Sequence, residues 1–409
     1  MKLILSHPTG NEFVRAAATG FLKKDILLNF NTTFASFQGS FIDQLGSIGA
    51  LSEIHRRRFD SNLKPLTNLW PWREVIRVVA SRAGLKLLVK HEIGQFCVDA
   101  VYRHLDRKVA MMVNSLSENS ASAVYAYEDG AIATFRAAKK HGLECVYDLP
   151  IGYWRSAREL LKNERENKPE WASTILSFDD SEEKLKQKDE ELRLADRIIV
   201  ASQFTANTLN LYPGPLASID IIPYAFPEVK TFKEYRKFKN PLKLLFVGGL
   251  SQRKGIAYLF EAVEALEPFV ELTIVGQKSV QNCSALNVAL SKHKWIPSLP
   301  HEKVLRLMRE HDVLVFPSLF EGFGLVITEA MSQGTPVITT DRTAGPEFID
   351  HGKNGWIIEA GSSSAIKGVI EEILYNPCII ENFGRAATET ARKRTWECYG
   401  LELAETLLR

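Results

Sequence analysis

The chain has 409 residues, 45% of them hydrophobic and 24% charged, and its formal net charge is only +2. That length allows two domains with separate cores, and the composition is that of a globular protein. No segment approaches the ~20 consecutive apolar residues that a membrane-spanning helix needs, and the first apolar stretch is too short for a signal peptide.

The five cysteines are scattered and odd in number, and none has a neighbour at metal-binding spacing. This pattern indicates free thiols and a reducing compartment. We therefore expect a cytoplasmic protein without a structural zinc site. They are Cys97, Cys145, Cys283, Cys378 and Cys398.

The N-terminus predicts a strand over 2–6, a turn, and a helix over 12–22. The turn weakly resembles a phosphate-binding loop, which makes His7, Gly10 and Asn11 candidate substrate contacts. The alternative is a plain turn in which Asn11 caps the helix.

Residues 51–90 are distinctive because they carry nine Lys or Arg and only three Asp or Glu, with tryptophans at Trp70 and Trp72. A basic, tryptophan-bearing helical region suggests contact with an anionic membrane or a phosphorylated acceptor. The alternative is a solvated helical face with its tryptophans in the core. No recognised nucleic-acid-binding motif accompanies the charge.

The next predicted strands cover 123–127 and 143–149, with a helix over 130–141 between them. Asp148 falls at the carboxyl edge of the second strand and is a candidate catalytic residue. Glu128 and Asp129 follow the end of the first strand. They are candidates either for the active site or for capping the next helix.

Charged residues dominate 155–195 and predict long exposed helices. A strand over 197–201 follows, with Ser202 expected to cap the next helix. We assign residues 1–225 to a first α/β domain, 226–241 to a linker, 242–390 to a second α/β domain, and 391–409 to a C-terminal amphipathic helix.

A second glycine-rich turn follows the strand that opens the second domain, with the sequence GGLSQRKGI from Gly248 to Ile256. Gly249 allows a close backbone turn. Arg253 and Lys254 offer a bidentate fork and a compact charge for an anion. A solvated basic turn is the alternative.

The most informative stretch is FPSLFEGFGLVITEAMSQG, from Phe316 to Gly334. Residues 312–317 (DVLVFP), which lead into it, predict a buried strand, and the stretch itself predicts a glycine turn and a helix over 325–333 whose open N-terminus lies at the carboxyl edge of the sheet. The backbone amides of Gly324, Leu325 and Val326 are expected to hold a diphosphate. Carboxylates suit sugar hydroxyls, so Glu321 is assigned to a hexose and Glu329 to a ribose, with Phe323 as a further contact.

The motif EGFGLxxxEAMxxGxPVI resembles the signature of retaining glycosyltransferases of family four, which have the two-domain GT-B fold. The resemblance covers most of the C-terminal half and is much weaker in the N-terminal half. It implies two Rossmann-like α/β domains facing across a cleft, the first binding the acceptor and the second the nucleotide-sugar. It also implies that the C-terminal helix packs back on the first domain and that the turn after the first strand faces donor and acceptor. Many members have a histidine near the position of Asp148, and this chain departs from that pattern.

The resemblance implies transfer of a hexosyl group from a nucleoside diphosphate sugar to a saccharide or lipid-linked acceptor, with retention and without a metal or other cofactor. We expect a role in cell-envelope polysaccharide or glycolipid synthesis, in the cytoplasm and at the inner face of the membrane. Two alternatives remain: an epimerase or phosphorylase of the same fold, and a non-catalytic subunit that binds nucleotide-sugar. Residues 341–347 should line the cleft, with Glu347 a weak candidate.

Overall fold

The computed structural model describes residues 1–39, 57–117, 120–176, 178–230, 232–235 and 241–409. Within these residues the chain forms two α/β domains, each built on a parallel sheet with its own buried core. None of the helices in the described part of the chain has the length and apolar character needed to cross a membrane.

The sheet of the first domain has the strand order β5-β2-β1-β6-β7-β8-β9, and its neighbouring strands pair in parallel. A separate small pair, β3 with β4, lies outside it. The strands are β1 (Leu3–Ser6), β2 (Leu27–Thr32), β3 (Ser36–Phe37), β4 (Arg58–Phe59), β5 (Thr67–Leu69), β6 (Ala123–Tyr127), β7 (Glu144–Leu149), β8 (Arg197–Val200) and β9 (Ser218–Ile221).

The sheet of the second domain has the order β12-β11-β10-β13-β14-β15 and is also parallel. Its central strand β13 reads VLVF and is buried along its whole length, as expected for a strand covered on both faces. The strands are β10 (Leu242–Val247), β11 (Val270–Val275), β12 (Lys294–Ile296), β13 (Val313–Phe316), β14 (Val337–Thr340) and β15 (Gly355–Ile358).

Helices flank both sheets. In the first domain and the segment leading to the second they are α1 (Glu12–Lys23), α2 (Trp72–Arg82), α3 (Val98–Asn114), α4 (Ile132–Lys140), α5 (Trp154–Asn167), α6 (Glu182–Leu194) and α7 (Gln203–Thr208). In the second domain and at the C-terminus they are α8 (Ile256–Glu264), α9 (Ser284–Ser291), α10 (His301–Glu310), α11 (Leu325–Ser332), α12 (Gly345–Phe348), α13 (Ser363–Tyr375), α14 (Ile379–Arg392) and α15 (Trp396–Leu407).

The C-terminal helix α15 crosses back to the first domain and packs on α1, as the sequence predicts. Gly20 and Gly400 face each other at this crossing. A Cβ atom on Gly20 would lie 2.0 Å from the carbonyl oxygen of Gly400, so the helices approach this closely only because both positions lack a side chain.

The chain passes between the domains twice, and the two passages touch. Phe226, on the first passage, forms a β-bridge with Thr395 on the second, and its N–H donates to the carbonyl of Arg394 at 3.1 Å. The guanidinium of Arg394 in turn donates to the carbonyls of Pro223 and Tyr224. The two connections therefore form one joint.

Two expectations from the sequence are wrong. The segment 155–195 is not uniformly exposed, because Lys188 and Glu191 of α6 are buried. The basic region 51–90 is not one helical region: its described part holds strands β4 and β5, a 3₁₀ turn at Ser61–Leu66, helix α2 and a turn-rich segment after it. Residues 51–56, with Arg56 among them, lie outside the described residues.

Candidate functional site

The glycine-rich turn after β10 becomes a 3₁₀ turn, Gln252–Lys254, that leads into α8. Gly255 ends it in the left-handed conformation, with φ of 68°. A Cβ there would lie 2.0 Å from the carbonyl oxygen of Pro317, so this position requires glycine. The close approach holds the turn against the segment that follows β13.

That segment contains the predicted Glu321–Gly324 turn, and the structure brings it into direct contact with the basic turn. The N–H of Leu319 donates to the carbonyl of Arg253 at 2.9 Å, and the guanidinium of Arg253 donates to the carbonyl of Phe320 at 2.7 Å. The carboxylate of Glu321 forms an ion pair with Lys254 and lies 3.5 Å from Arg253. The two predicted motifs thus form one cluster.

The charges of this cluster are largely withdrawn from solvent. Burial lowers the pKa of Arg253 to about 10, which leaves it protonated at neutral pH. Burial also lowers the pKa of Lys254, and the adjacent charge of Arg253 adds to this effect. Lys254 also pairs with the carboxylate of Glu321, and a neighbouring anion of this kind favours the charged form of a buried lysine.

Helix α11 begins at this cluster. Gly324 precedes it with φ of 86°, and a Cβ there would lie 2.9 Å from the ring of Phe316. In the first turn of a helix the N–H groups have no intrahelical partner, so those of Leu325 and Val326 are suited to an anion. The predicted contacts Gly324, Leu325 and Val326 therefore lie beside Glu321, whereas Gly249 lies before the basic turn with open space around its Cα.

Glu329 lies one turn further along α11, and one of its carboxylate oxygens is 2.9 Å from Nε2 of His301 at the start of α10. Sequence reasoning missed His301, because no motif marks it and it precedes Glu329 by 28 residues. The pair indicates that His301 orients the Glu329 carboxylate.

The turn of the second domain is also held by the first domain. The carbonyl of Gly322 accepts hydrogen bonds from the hydroxyls of Ser202 at 2.7 Å and Thr205 at 2.9 Å. Ser202 also caps α7, as predicted. Phe323 packs at 4.9 Å between ring centroids on Tyr224 of the first domain. The side chain of Phe323 therefore stabilises the contact between domains.

Two further links between the domains escaped sequence reasoning. Gln252 is fully buried, and its amide donates to Glu164 of α5 at 2.7 Å while its oxygen accepts the N–H of Ala257. Glu347, a weak cleft candidate from sequence, accepts the N–H of Gln203 at 2.6 Å. Neither link could be found from the sequence, because each joins residues of different domains.

The three candidates in the first βα turn differ in their surroundings. His7 is buried with its ring 4.5 Å from that of Tyr127, and burial lowers its pKa to about 4, so it is neutral. Gly10 packs against Arg57. Asn11 is exposed at the start of α1, and its side chain makes no capping hydrogen bond.

Asp148 lies inside the first domain. Its carboxyl group is 2.5 Å from the hydroxyl of Tyr125, and burial raises its pKa to about 7 despite that hydrogen bond. None of its described hydrogen bonds joins it to the cluster of Arg253, Lys254 and Glu321. A catalytic role for Asp148 stays a prediction.

The neighbouring Glu128 and Asp129 are not simple helix caps. Lys188 of α6 lies 3.1 Å from the Glu128 carboxylate and 3.4 Å from that of Asp129. Burial raises the pKa of Glu128 to about 7. The two carboxylates therefore belong to a buried charge network that fixes α6 to the end of β6.

Comparison with solved structures defines the class of fold. The Anabaena HepE structure in complex with UDP aligns over 100% of both chains with a TM-score of 0.65 at 17% identity. Sucrose-phosphate synthase from Thermosynechococcus elongatus aligns over 100% of this chain and 98% of its own, with a TM-score of 0.65 at 16% identity. The predicted architecture of two Rossmann-like domains facing across a cleft, the GT-B fold, is confirmed.

Comparison of sequences then defines the family resemblance. Residues 228–394 match the family described as glycosyl transferases group 1, which confirms the resemblance seen in the C-terminal half. Mycobacterium tuberculosis glycogen synthase is 27% identical over 207 residues, 48% of this chain and 50% of that protein. Phosphatidyl-myo-inositol mannosyltransferase of Mycobacterium leprae is 30% identical over 159 residues, 37% of this chain and 42% of that protein. The matched part thus spans half the length of these relatives or less.

Proposed function

We propose that this protein is a retaining glycosyltransferase that moves a hexosyl group from a nucleoside diphosphate sugar to an acceptor hydroxyl. The observation that carries the proposal is the contact of Arg253 and Lys254 with Glu321 at the start of α11. Two partly buried cations and an open helix N-terminus suit a diphosphate, and a carboxylate beside them suits sugar hydroxyls.

The chemistry is dominated by the charge that develops on the departing diphosphate. Arg253 and Lys254 are already fixed by the surrounding loops, so little reorganisation is needed as that charge grows. Removing one such donor typically lowers turnover by about 10²–10³-fold. In the proposed donor complex the diphosphate replaces Glu321 beside Lys254, and the released carboxylate turns to the hexose.

Glu329 is proposed to bind the ribose of the donor, oriented by His301. The leaving phosphate oxygen is proposed to take the acceptor proton on the same face of the sugar, which retains the anomeric configuration without a protein nucleophile. Closure of the domains around the donor would limit its hydrolysis by water.

We propose that no metal takes part, because the protein itself supplies the positive field. Among the described residues one grouping has ligands close enough for a metal ion, formed by His91, Glu92 and Asp180 in the first domain. Lys184 lies 3.1 Å from Asp180 and supplies positive charge there.

The donor base and sugar are best tested first with UDP-glucose. Solved structures of HepE, which share this fold, are described as complexes with UDP and with UDP-glucose. Saccharide and lipid-linked acceptors of the cell envelope are the acceptor classes proposed from the basic region of the first domain.

The test combines binding and turnover. Lys254→Ala and Glu329→Ala should fold normally, lose the thermal stabilisation by UDP-glucose and lose transfer, while Lys353→Ala, at an exposed turn of the second domain, serves as the matched control. Full transfer activity in either site variant would reject the site. Product formed from donor alone would favour an epimerase, and donor binding without turnover across an acceptor panel would favour a non-catalytic subunit.

A further inference from the structure

The first domain exposes an unusual concentration of apolar side chains. Of the eighteen large apolar residues that are exposed among those described, nine lie between Leu69 and Val98. The other nine are dispersed over the rest of the described chain. Exposed apolar side chains are ordinary when single, but a cluster indicates a surface that contacts something else.

Helix α2 shows the arrangement most clearly, because its apolar stripe faces outward. Trp72, Val75, Ile76 and Val79 follow helical spacing and therefore share one face. They are exposed by 45%, 49%, 37% and 60%, whereas Glu74 on the other side is buried. A surface helix of a globular protein normally has the opposite orientation.

The helix is held in this orientation by polar contacts. Glu74 accepts hydrogen bonds from Arg57 and from Arg77. The indole N–H of Trp72 donates to His104 of α3 at 3.2 Å. The bond from Arg57 holds the polar face of α2 to the domain, and the bond from Trp72 joins the start of the helix to α3.

The turn-rich segment that follows α2 also exposes apolar and basic side chains. Leu87 is 84% exposed and Ile93 75% exposed, and the side chains of Lys86 and Lys90, close to them in the sequence, are exposed as well. We call the exposed residues of 72–93 the docking surface.

In this part of the domain, most acidic side chains are buried. Residues 70–114 contain eight Lys or Arg and four Asp or Glu. The acids Glu74, Asp99 and Asp106 are buried, and the fourth, Glu92, accepts the N–H of Ser181. The outward face is therefore apolar and cationic.

Helix α2 is connected to the first βα turn, which is proposed to face the acceptor. Arg57 donates to Glu74 of α2, to the hydroxyl of Thr33 at 2.9 Å and to the carbonyl of Pro8 at 3.3 Å. Pro8 belongs to the first βα turn, which also holds His7, Gly10 and Asn11. One side chain thus connects α2 to that turn.

From this geometry we propose that the docking surface binds an anionic lipid bilayer. The apolar side chains enter the boundary between headgroups and acyl chains, and the lysines and arginines contact lipid phosphates. A second copy of this chain fits less well, because it would bring cations against cations. Binding of the docking surface to a bilayer does not depend on the proposed function. The further step, in which a lipid-linked acceptor reaches the first βα turn, rests on the proposed function.

The test is sedimentation of the full chain with phosphatidylcholine vesicles, either pure or mixed with phosphatidylglycerol. Binding should require the anionic lipid. Replacing Lys86 and Lys90 together by Gln should weaken binding by about 25-fold, since each cation near an anionic surface contributes roughly fivefold. Leu87→Gln should weaken it by about tenfold through lost apolar contact.

Lys303→Gln and Val288→Gln are the matched controls, because both residues are exposed in the second domain. Equal binding to both kinds of vesicle, or no loss in the Lys86/Lys90 and Leu87 variants, would overturn the proposal. A dimer in light scattering that Leu87→Gln dissociates would assign the surface to a second copy instead. Thermal stabilisation by UDP, GDP and ADP sugars is measured in parallel: its absence with every one of them, in a parent protein that binds vesicles, would reject the proposed function and leave the docking intact.

Discussion

Gly322 offers a direct way to test whether the closed arrangement of the domains is needed for turnover. Its Cα approaches the backbone of the first domain so closely that a Cβ would lie 2.1 Å from the carbonyl oxygen of Pro150 and 2.6 Å from Cα of Ile151. Both obstacles are backbone atoms, so no side-chain rotation relieves the clash. Gly322→Ala should therefore force the domains apart.

The size of the effect follows from two contributions. Overpacking a tight contact typically costs about 1–3 kcal/mol. Separation also breaks the hydrogen bonds from Ser202 and Thr205 to the Gly322 carbonyl, each contributing about 0.5–1.5 kcal/mol. The closed state should lose about 2–6 kcal/mol relative to an open one.

The assay is small-angle X-ray scattering together with steady-state kinetics. Gly322→Ala should increase the radius of gyration and lower kcat strongly. Donor binding should weaken less, because Arg253, Lys254 and the start of α11 all belong to the second domain. Gly368→Ala is the matched control: its Cβ meets nothing within 4 Å in helix α13, so it should be neutral or slightly stabilising. A Gly322→Ala protein with parental dimensions and turnover would refute the reasoning.

Three further predictions concern charge. Burial raises the pKa of Asp148 to about 7 from an ordinary 3.8. The free energy of unfolding should therefore be highest, as far as Asp148 contributes, below about pH 4, and it should fall as the pH rises through 7, by at most about 1.4 kcal/mol per pH unit. Asp148→Asn should remove this pH dependence, which urea unfolding between these pH values measures. Parallel curves for the two proteins would contradict the assigned shift. Glu347→Ala should weaken domain closure by about 0.5–1.5 kcal/mol, because it removes the acceptor of the exposed Gln203 N–H, whereas Glu347→Gln, which keeps an acceptor oxygen, should scatter like the parent. A chelator should leave the transfer activity unchanged. Loss of activity that only a divalent metal restores would contradict the proposal that no metal takes part.

Much of the fold could be predicted from local pattern. Strand β13 and helix α11 lie within two residues of their predicted limits, because an apolar run buried on both faces and a glycine turn are properties of neighbouring residues. The contact of Arg253 and Lys254 with Glu321 could be anticipated only through the family resemblance, since about seventy residues separate the two motifs.

What the sequence could not indicate depends on distant residues. Lys188 and Glu191 look like members of an exposed charged helix, yet they are buried because Glu128 and the end of β6 meet them there. The spacing of Trp72, Val75 and Val79 predicts a helix with an apolar face but does not say which way that face turns. Its outward orientation is set by Arg57 and His104, which no local pattern links to α2.

The joint formed by Phe226 and Thr395 limits how the two lobes can move. Because the outgoing and returning connections are joined here, we expect the second lobe to rotate about this joint and not to slide along the first lobe. An open cleft then samples few orientations, so closing on a substrate loses less entropy than joining two lobes tethered by one loose strand. If either connection alone were cut or lengthened, the other should still guide the rotation of the second lobe.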